Sequence, residues 1–172
     1  MISFDHNNIL DKDYSEKQIT SNLEDYIKEN NLDQRLLIGS GSKIILLPNN
    51  KFLNSLPEDR NYFSPVIKQV MGFFKKEGLD VKIYDDGKEK TEIILKSADI
   101  LIPTIFFLSG IPVALALNIL GNWIYDKFVK NKKTVSTTIK FEYVEIMEDK
   151  KTLKRTKIEG SANEVSKLLK KK

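Results

Sequence analysis

From Ile100 to Tyr125 the chain reads ILIPTIFFLSGIPVALALNILGNWIY, without one charged residue, and Asp99 and Asp126 close the run at either side. Elsewhere apolar and polar positions alternate in short blocks. Ser15-Glu16-Lys17-Gln18 has the form of a capping box ahead of Ile19, Leu23, Tyr26 and Ile27, and predicts a helix over 16–30 that ends near Asn30-Asn31. Leu36–Ile38 and Lys43–Leu47 flank Gly39-Ser40-Gly41-Ser42, which predicts a hairpin. Pro48 to Arg60 is a polar loop. Ser64-Pro65 marks a second helix, over 65–77, because serine caps and a proline at the first helical position wastes no amide. Its apolar face is Val66, Ile67, Val70, Met71, Phe73 and Phe74, and Gly78 terminates it. Asp80–Tyr84 and Lys90–Lys96, joined through Asp85-Asp86-Gly87, predict another hairpin.

Beyond the apolar run, Val135, Ile139, Phe141 and Tyr143 alternate with Ser136, Thr138, Lys140 and Glu142, a half-buried strand over 134–147. A turn at 148–151 leads to a strand over 152–159. Ser161 and Glu164 then form a capping box for a helix over 162–170 with Ala162, Val165, Leu168 and Leu169 on one stripe.

The run itself admits two readings. As a membrane span it exceeds the roughly 20 residues that cross a hydrocarbon core. Trp123 and Tyr125 would sit at the interface, and Lys127, Lys130, Lys132 and Lys133 would follow as a cytoplasmic anchor. As a buried helix it is cut by Pro103, Ser109-Gly110 and Pro112 into pieces over 98–108 and 111–129. The second piece carries Asn118, Asn122, Asp126 and Lys130 at four-residue steps, one polar line on a helix and the candidate interaction face. Topology favours the buried reading: a cytoplasmic C-terminal side would require the first 99 residues to cross the membrane without an apolar leader.

Composition narrows the chemistry. There is no cysteine, and the single histidine is His6, so thiol redox chemistry, thiolate metal sites and a histidine-based triad are not expected. The net charge of +4 is unevenly spread. Residues 1–99 hold 14 Lys/Arg against 17 Asp/Glu, and residues 127–172 hold 14 against 6. Such a basic end suits a solvated face, and more weakly nucleic acid or anionic lipid. Lys151, Lys154, Arg155 and Lys157 lack the interleaved aromatics that stack bases. Gly39-Ser-Gly-Ser-Lys43 lacks the spacing of a phosphate loop, and the carboxylate pairs Glu24-Asp25, Glu58-Asp59 and Asp85-Asp86 read as solvated charge.

The layout of residues 98–172 resembles the effector-associated constant components of bacterial conflict systems. The likeness lies in an apolar helix with an Asn-rich second half, from Asn118 to Lys127, then a basic link, then strand, strand and helix around Ile158-Glu-Gly-Ser161. The resemblance implies a non-enzymatic module that couples a sensor or protease partner to an effector, and it assigns no site residue.

The expectation is therefore an α+β fold, with antiparallel hairpins packed around one apolar central helix and amphipathic helices at both ends. Three segments, 1–97, 98–130 and 131–172, would form one compact domain. The expected function is a non-enzymatic interaction or adaptor module in the cytoplasm with a protein partner, no catalytic or metal-ligating residue and no cofactor. Neither nucleic acid nor a small-molecule substrate is favoured. The competing expectations are a single-pass or two-piece hairpin membrane protein anchored by residues 100–125, as an anchor or a membrane-acting effector, and, behind it, a nucleic-acid module built on the basic end.

Overall fold

A computed structural model describes residues 14–39, 41–50, 57–94, 99–108, 112–130 and 137–172. In chain order the elements are β1 (Tyr14–Asn22), α1 (Leu23–Glu29), α2 (Gln34–Ile38), β2 (Ile44–Leu47), β3 (Arg60–Phe63), α3 (Ile67–Lys76), β4 (Val81–Ile83), β5 (Glu89–Glu92), β6 (Ile100–Leu101), β7 (Thr104–Phe107), α4 (Val113–Ile124), β8 (Thr138–Ile146), β9 (Thr152–Ser161) and α5 (Ala162–Lys170). A π-helical turn over Tyr125–Val129 extends α4. The class is α+β, as the pattern predicts. The main sheet runs β1-β9-β8-β7-β2-β4, with β6 also on β8, while β3 and β5 pair separately. It draws strands from all three segments of the chain.

The pairings are mixed rather than wholly antiparallel. β1/β9, β8/β9 and β2/β7 are antiparallel; β2/β4, β7/β8 and β6/β8 are parallel. Two parallel crossovers result, one from β2 through α3 to β4, the other from β7 through α4 to β8. The second starts from a strand of opposite direction and steps the opposite way across the sheet. Parallel crossovers are almost always right-handed, and reversing both direction and step keeps the hand only if both helices lie on the same face. They do. α3, α4 and α5 share one core with Ile44, Leu46, Val81, Ile105, Phe107, Phe141 and Ile158. α1 and α2 cover the opposite face through Leu23, Tyr26 and Leu37, over Ile45, Leu47, Phe106, Val144 and Leu153. Adjacent strand residues divide cleanly between the two cores, as the period of two requires.

This layering explains the uncharged run. Its first part is sheet, not helix: Ile100–Phe107 lies along β8 as β6 and β7, and every residue from Leu101 to Phe107 is buried. A strand covered on both faces has no polar side to show. Pro103 divides β6 from β7 because it has no amide to donate; Ile102 N still donates to Lys140 O at 3.0 Å. Among the described residues, the expected helical segment over 98–130 is thus helical from Val113 onward only. Helix α4 is apolar because it lies between the sheet, α3 and α5. Among the described residues no helix is long and apolar enough to cross a membrane. Residues 109–111, where the run was expected to break, lie outside the described residues, as do Lys132 and Lys133.

Other local signals are overridden by pairing. The expected helix over 16–30 is β1 up to Asn22, in register with β9 from Tyr14↔Gly160 to Asn22↔Thr152. A nine-residue ladder outweighs a capping signal whose helix would have to stand alone. The real cap is Asn22, whose Oδ1 accepts from Glu24 N at 2.8 Å. The expected hairpin of 36–38 with 43–47 is not made: Leu36–Ile38 is helical in α2, and β2 pairs with β4 and β7. Asp85-Asp86-Gly87 does turn the chain, with Gly87 at φ 85° and Asp85 Oδ1 accepting from Gly87 N at 3.0 Å. Its flanks separate, however, β4 into the main sheet and β5 onto β3. The β8–β9 hairpin and α5 match expectation, and Ser161 Oγ accepts from Glu164 N at 3.3 Å as a cap; α3 forms where expected but starts at Ile67 with Val66 at its N-cap and no capping side chain, because Ser64 Oγ instead donates to Leu101 O.

Candidate functional site

The predicted polar line on α4 is only partly surface. Asn118 Nδ2 donates to Lys170 O at 3.2 Å, closing one of the orphan carbonyls at the end of α5, and Asn122 Nδ2 donates to Asn118 Oδ1 at 3.4 Å. Asn122, Asp126 and Lys130 are exposed. The π turn, in which Lys130 N donates to Tyr125 O at 2.9 Å, bends the line between its last two members. Of the candidate membrane anchors, Trp123 is buried and meets Phe128 edge-on at 5.5 Å, so it serves the core. Tyr125 and Lys127 are exposed, and Lys170 Nζ lies 4.3 Å from the Tyr125 ring centre.

A site the sequence reading passed over lies on the other face of the sheet. A polar cleft of about 840 Å³ opens between the C-terminal end of α1 and the segment after β2, with Leu47, Thr104, Glu142 and Lys157 of the sheet in its lining. Residues 48–50, expected as mere loop, are pinned to β3. Asn49 N donates to Tyr62 O and Asn50 Oδ1 accepts from Tyr62 N, both at 2.8 Å. Asn50 Nδ2 donates to Asn61 Oδ1 at 3.1 Å, and Asn61 Nδ2 donates to Asp86 Oδ1 at 2.8 Å. This amide ladder fixes the β3–β5 pair as one rim. The opposite rim is the end of α1, where Asn30 Nδ2 donates to Tyr26 O at 2.8 Å and Asn31 reverses the chain at φ 51°.

Beside the cleft floor sits an ion pair. Glu142 and Arg155 occupy facing strands on the α1 side, and Arg155 Nε donates to Glu142 Oε1 at 3.0 Å with both side chains at most 9% exposed. The Arg155 guanidinium lies 5.0 Å from the centre of the Tyr26 ring. Alternation along β8 had placed Glu142 on a solvent face. That face is covered by α1, and Arg155, expected on a basic surface, is the cation Glu142 requires. Burial, reinforced by the negative charge of Glu142, pushes the Tyr26 hydroxyl well above its ordinary 10.0. Above pH 10 the unfolded chain then releases a proton that the folded chain keeps, so stability falls as pH rises. Urea titrations from pH 9 to 11 should show that decline, and Tyr26→Phe should make it shallower; equal slopes would refute the assignment.

The cleft's lining is mixed in charge, with Lys28, Arg60, Lys88 and Lys157 against Glu29, Glu58 and Glu142. Its wall also holds a buried acceptor, Asn49 Oδ1, without a hydrogen-bond partner among the described residues, although Asn49 Nδ2 donates to Ile102 O at 3.2 Å. Comparison with protein-family models, curated proteins and solved structures finds no match. Function must therefore be argued from the site. Among the described residues no three His, Cys, Asp or Glu side chains gather as a metal ion would need. Of the sequence motifs, Ser42 Oγ donates to Asp80 Oδ1 at 3.3 Å, tying the glycine turn to the strand beside it, and Ser40 lies outside the described residues. Glu24 and Asp25 occupy the first turn of α1, where negative charge suits the helix dipole.

Proposed function

We propose that the protein is a small non-enzymatic interaction module that couples partners, in the setting its sequence layout suggests, a bacterial conflict system. The observation that carries this reading is the state of Glu142. It is the one buried carboxylate among the described residues, and it is bonded to Arg155. A general base needs a carboxylate free to take a proton from a substrate, whereas this one is spent on Arg155, bridging β8 and β9 under α1. The amide ladder around the cleft is likewise committed to internal bonds, which supports a rigid recognition surface. The exposed Asn122, Asp126 and Lys130 lie on the opposite side of the sheet and supply the surface for a protein partner.

The test is co-expression of the tagged full chain with the products of the genes flanking its own. A stoichiometric complex should survive size-exclusion chromatography with one of them. Asn122→Arg combined with Asp126→Arg should abolish it without moving the melting temperature, because both side chains are exposed. A chain that elutes alone beside every flanking product, or a complex indifferent to the double variant, would overturn the proposal.

A further inference from the structure

We infer that the cleft beneath α1 binds a small phosphorylated metabolite bearing hydroxyl groups. This goes beyond the interaction reading, which places a protein partner on the other side of the sheet, and either can fail alone. The size fits: sites for small molecules enclose roughly 300–1,000 Å³, and this cleft is about 840 Å³. The cations fit as well. Lys28 comes from α1, Arg60 from β3, Lys88 from the turn before β5 and Lys157 from β9, so four elements separated in sequence each bring one positive charge to one cleft. Arg60 and Lys88 are held in place by carboxylates outside the lining, Asp59 and Glu89 for the first and Asp86 for the second. Lys28 and Lys157 have no carboxylate partner among the described residues, and of the acids facing them Glu142 is already neutralised by Arg155.

A carboxylate ligand would engage one or two of these groups, while a phosphoryl group presents more charge and more oxygens and can engage several cations at once. The rest of the lining mixes apolar Leu32, Leu47, Pro48 and Pro57 with Asn30, Thr104 and Glu58, whose amide, hydroxyl and carboxylate suit hydroxyl groups. Tyr26 and Tyr62 are both buried and offer no open ring for a base to stack on. The sequence hid this site because its cations look like four unrelated surface residues.

The test uses the full chain, isothermal titration and amide chemical-shift mapping, with ribose 5-phosphate, inorganic phosphate and ribose as probes. Ribose 5-phosphate should bind saturably and shift amides of Asn30, Asn50 and Lys157. Ribose and inorganic phosphate should each bind at least about 10-fold more weakly, the worth of one lost charge-assisted contact. Lys28→Ala with Lys157→Ala should weaken ribose 5-phosphate by about 10-fold or more, with the melting temperature unchanged because both residues are exposed. Lys127→Ala with Lys130→Ala, on the α4 side, should leave it intact. The inference is overturned if ribose binds as tightly as its phosphate, if inorganic phosphate alone accounts for the affinity, if the two lysine pairs behave alike, or if none of the probes shifts the cleft amides.

Discussion

Replacing Arg155 by methionine should lower the unfolding free energy by about 3–5 kcal/mol, the cost of stranding one member of a buried ion pair. Methionine fills most of the space of the arginine stem, so lost packing is a minor part. The major part is Glu142, left as an unpaired carboxylate under α1 once its bond from Arg155 Nε is gone. The Tyr26 ring loses the cation 5.0 Å from its centre at the same time. Removing both charges tells a different story. Glu142→Leu with Arg155→Met should recover most of the loss and could exceed the parent, because an apolar pair avoids the desolvation that the ion pair must overcome. Urea denaturation of the parent, both single variants and the double variant completes the cycle. A single variant that loses under about 1 kcal/mol would mean that the pair is solvated, as surface pairs are, and that α1 does not seal this part of the sheet.

The ion pair also shows where sequence reasoning stops. Alternation along β8 correctly made Phe141 and Tyr143 core residues, and the β8–β9 hairpin was legible from period and turn chemistry, with Asp149 Oδ1 accepting from Thr152 N at 2.8 Å. Alternation alone cannot say whether the second face meets water or another layer. Glu142 and Arg155 look solvent-facing until α1 is placed over them. Helices α3 and α5 were legible for a related reason: each is amphipathic with its own apolar stripe, α5 adds a Ser161 cap, and neither needs knowledge of its neighbours. β1 was not legible. Its polar Ser15–Gln18 has no strand preference to speak of, and it is a strand because β9 offers it an edge. The cleft is one step further removed, since it requires α1, the segment after β2 and β9 to be brought together.

The uncharged run gives the same lesson with the sign reversed. Its lack of charge is a true signal of burial, and length alone translates it into a membrane helix. Length is the wrong measure here because two elements of different period share the run. Pro103 interrupts a sheet, and Pro112 opens a helix whose first intrahelical bonds include Ala116 N to Pro112 O at 3.2 Å. Two short strands sealed on both faces and one crossover helix sealed on most of its surface give a continuous apolar stretch.

Helix α4 is sealed chiefly by α5, and Gly121 sets how closely the two approach. A Cβ at that position would lie 3.0 Å from Ser166 O, 3.1 Å from Leu169 Cβ and 3.2 Å from Lys170 Cγ. Glycine in a helix interior gives up about 1 kcal/mol against alanine, so Gly121→Ala should come out near balance, propensity offsetting a shift of a few tenths of an ångström. Gly121→Leu has no such balance. Its branched end has to enter volume held by the backbone of α5, which cannot rotate away as a side chain could. The expected loss is about 3 kcal/mol, the upper end of overpacking penalties. Displacing α5 would also break the bond from Asn118 Nδ2 to Lys170 O. Hydrogen exchange should locate the damage: amides of α5 should lose protection while those of β2 and β7, on the far side of α4, keep theirs. A leucine variant as stable as the parent, with α5 equally protected, would mean that the helices do not touch at Gly121, and that the apolar run owes its burial to the sheet and α3 alone.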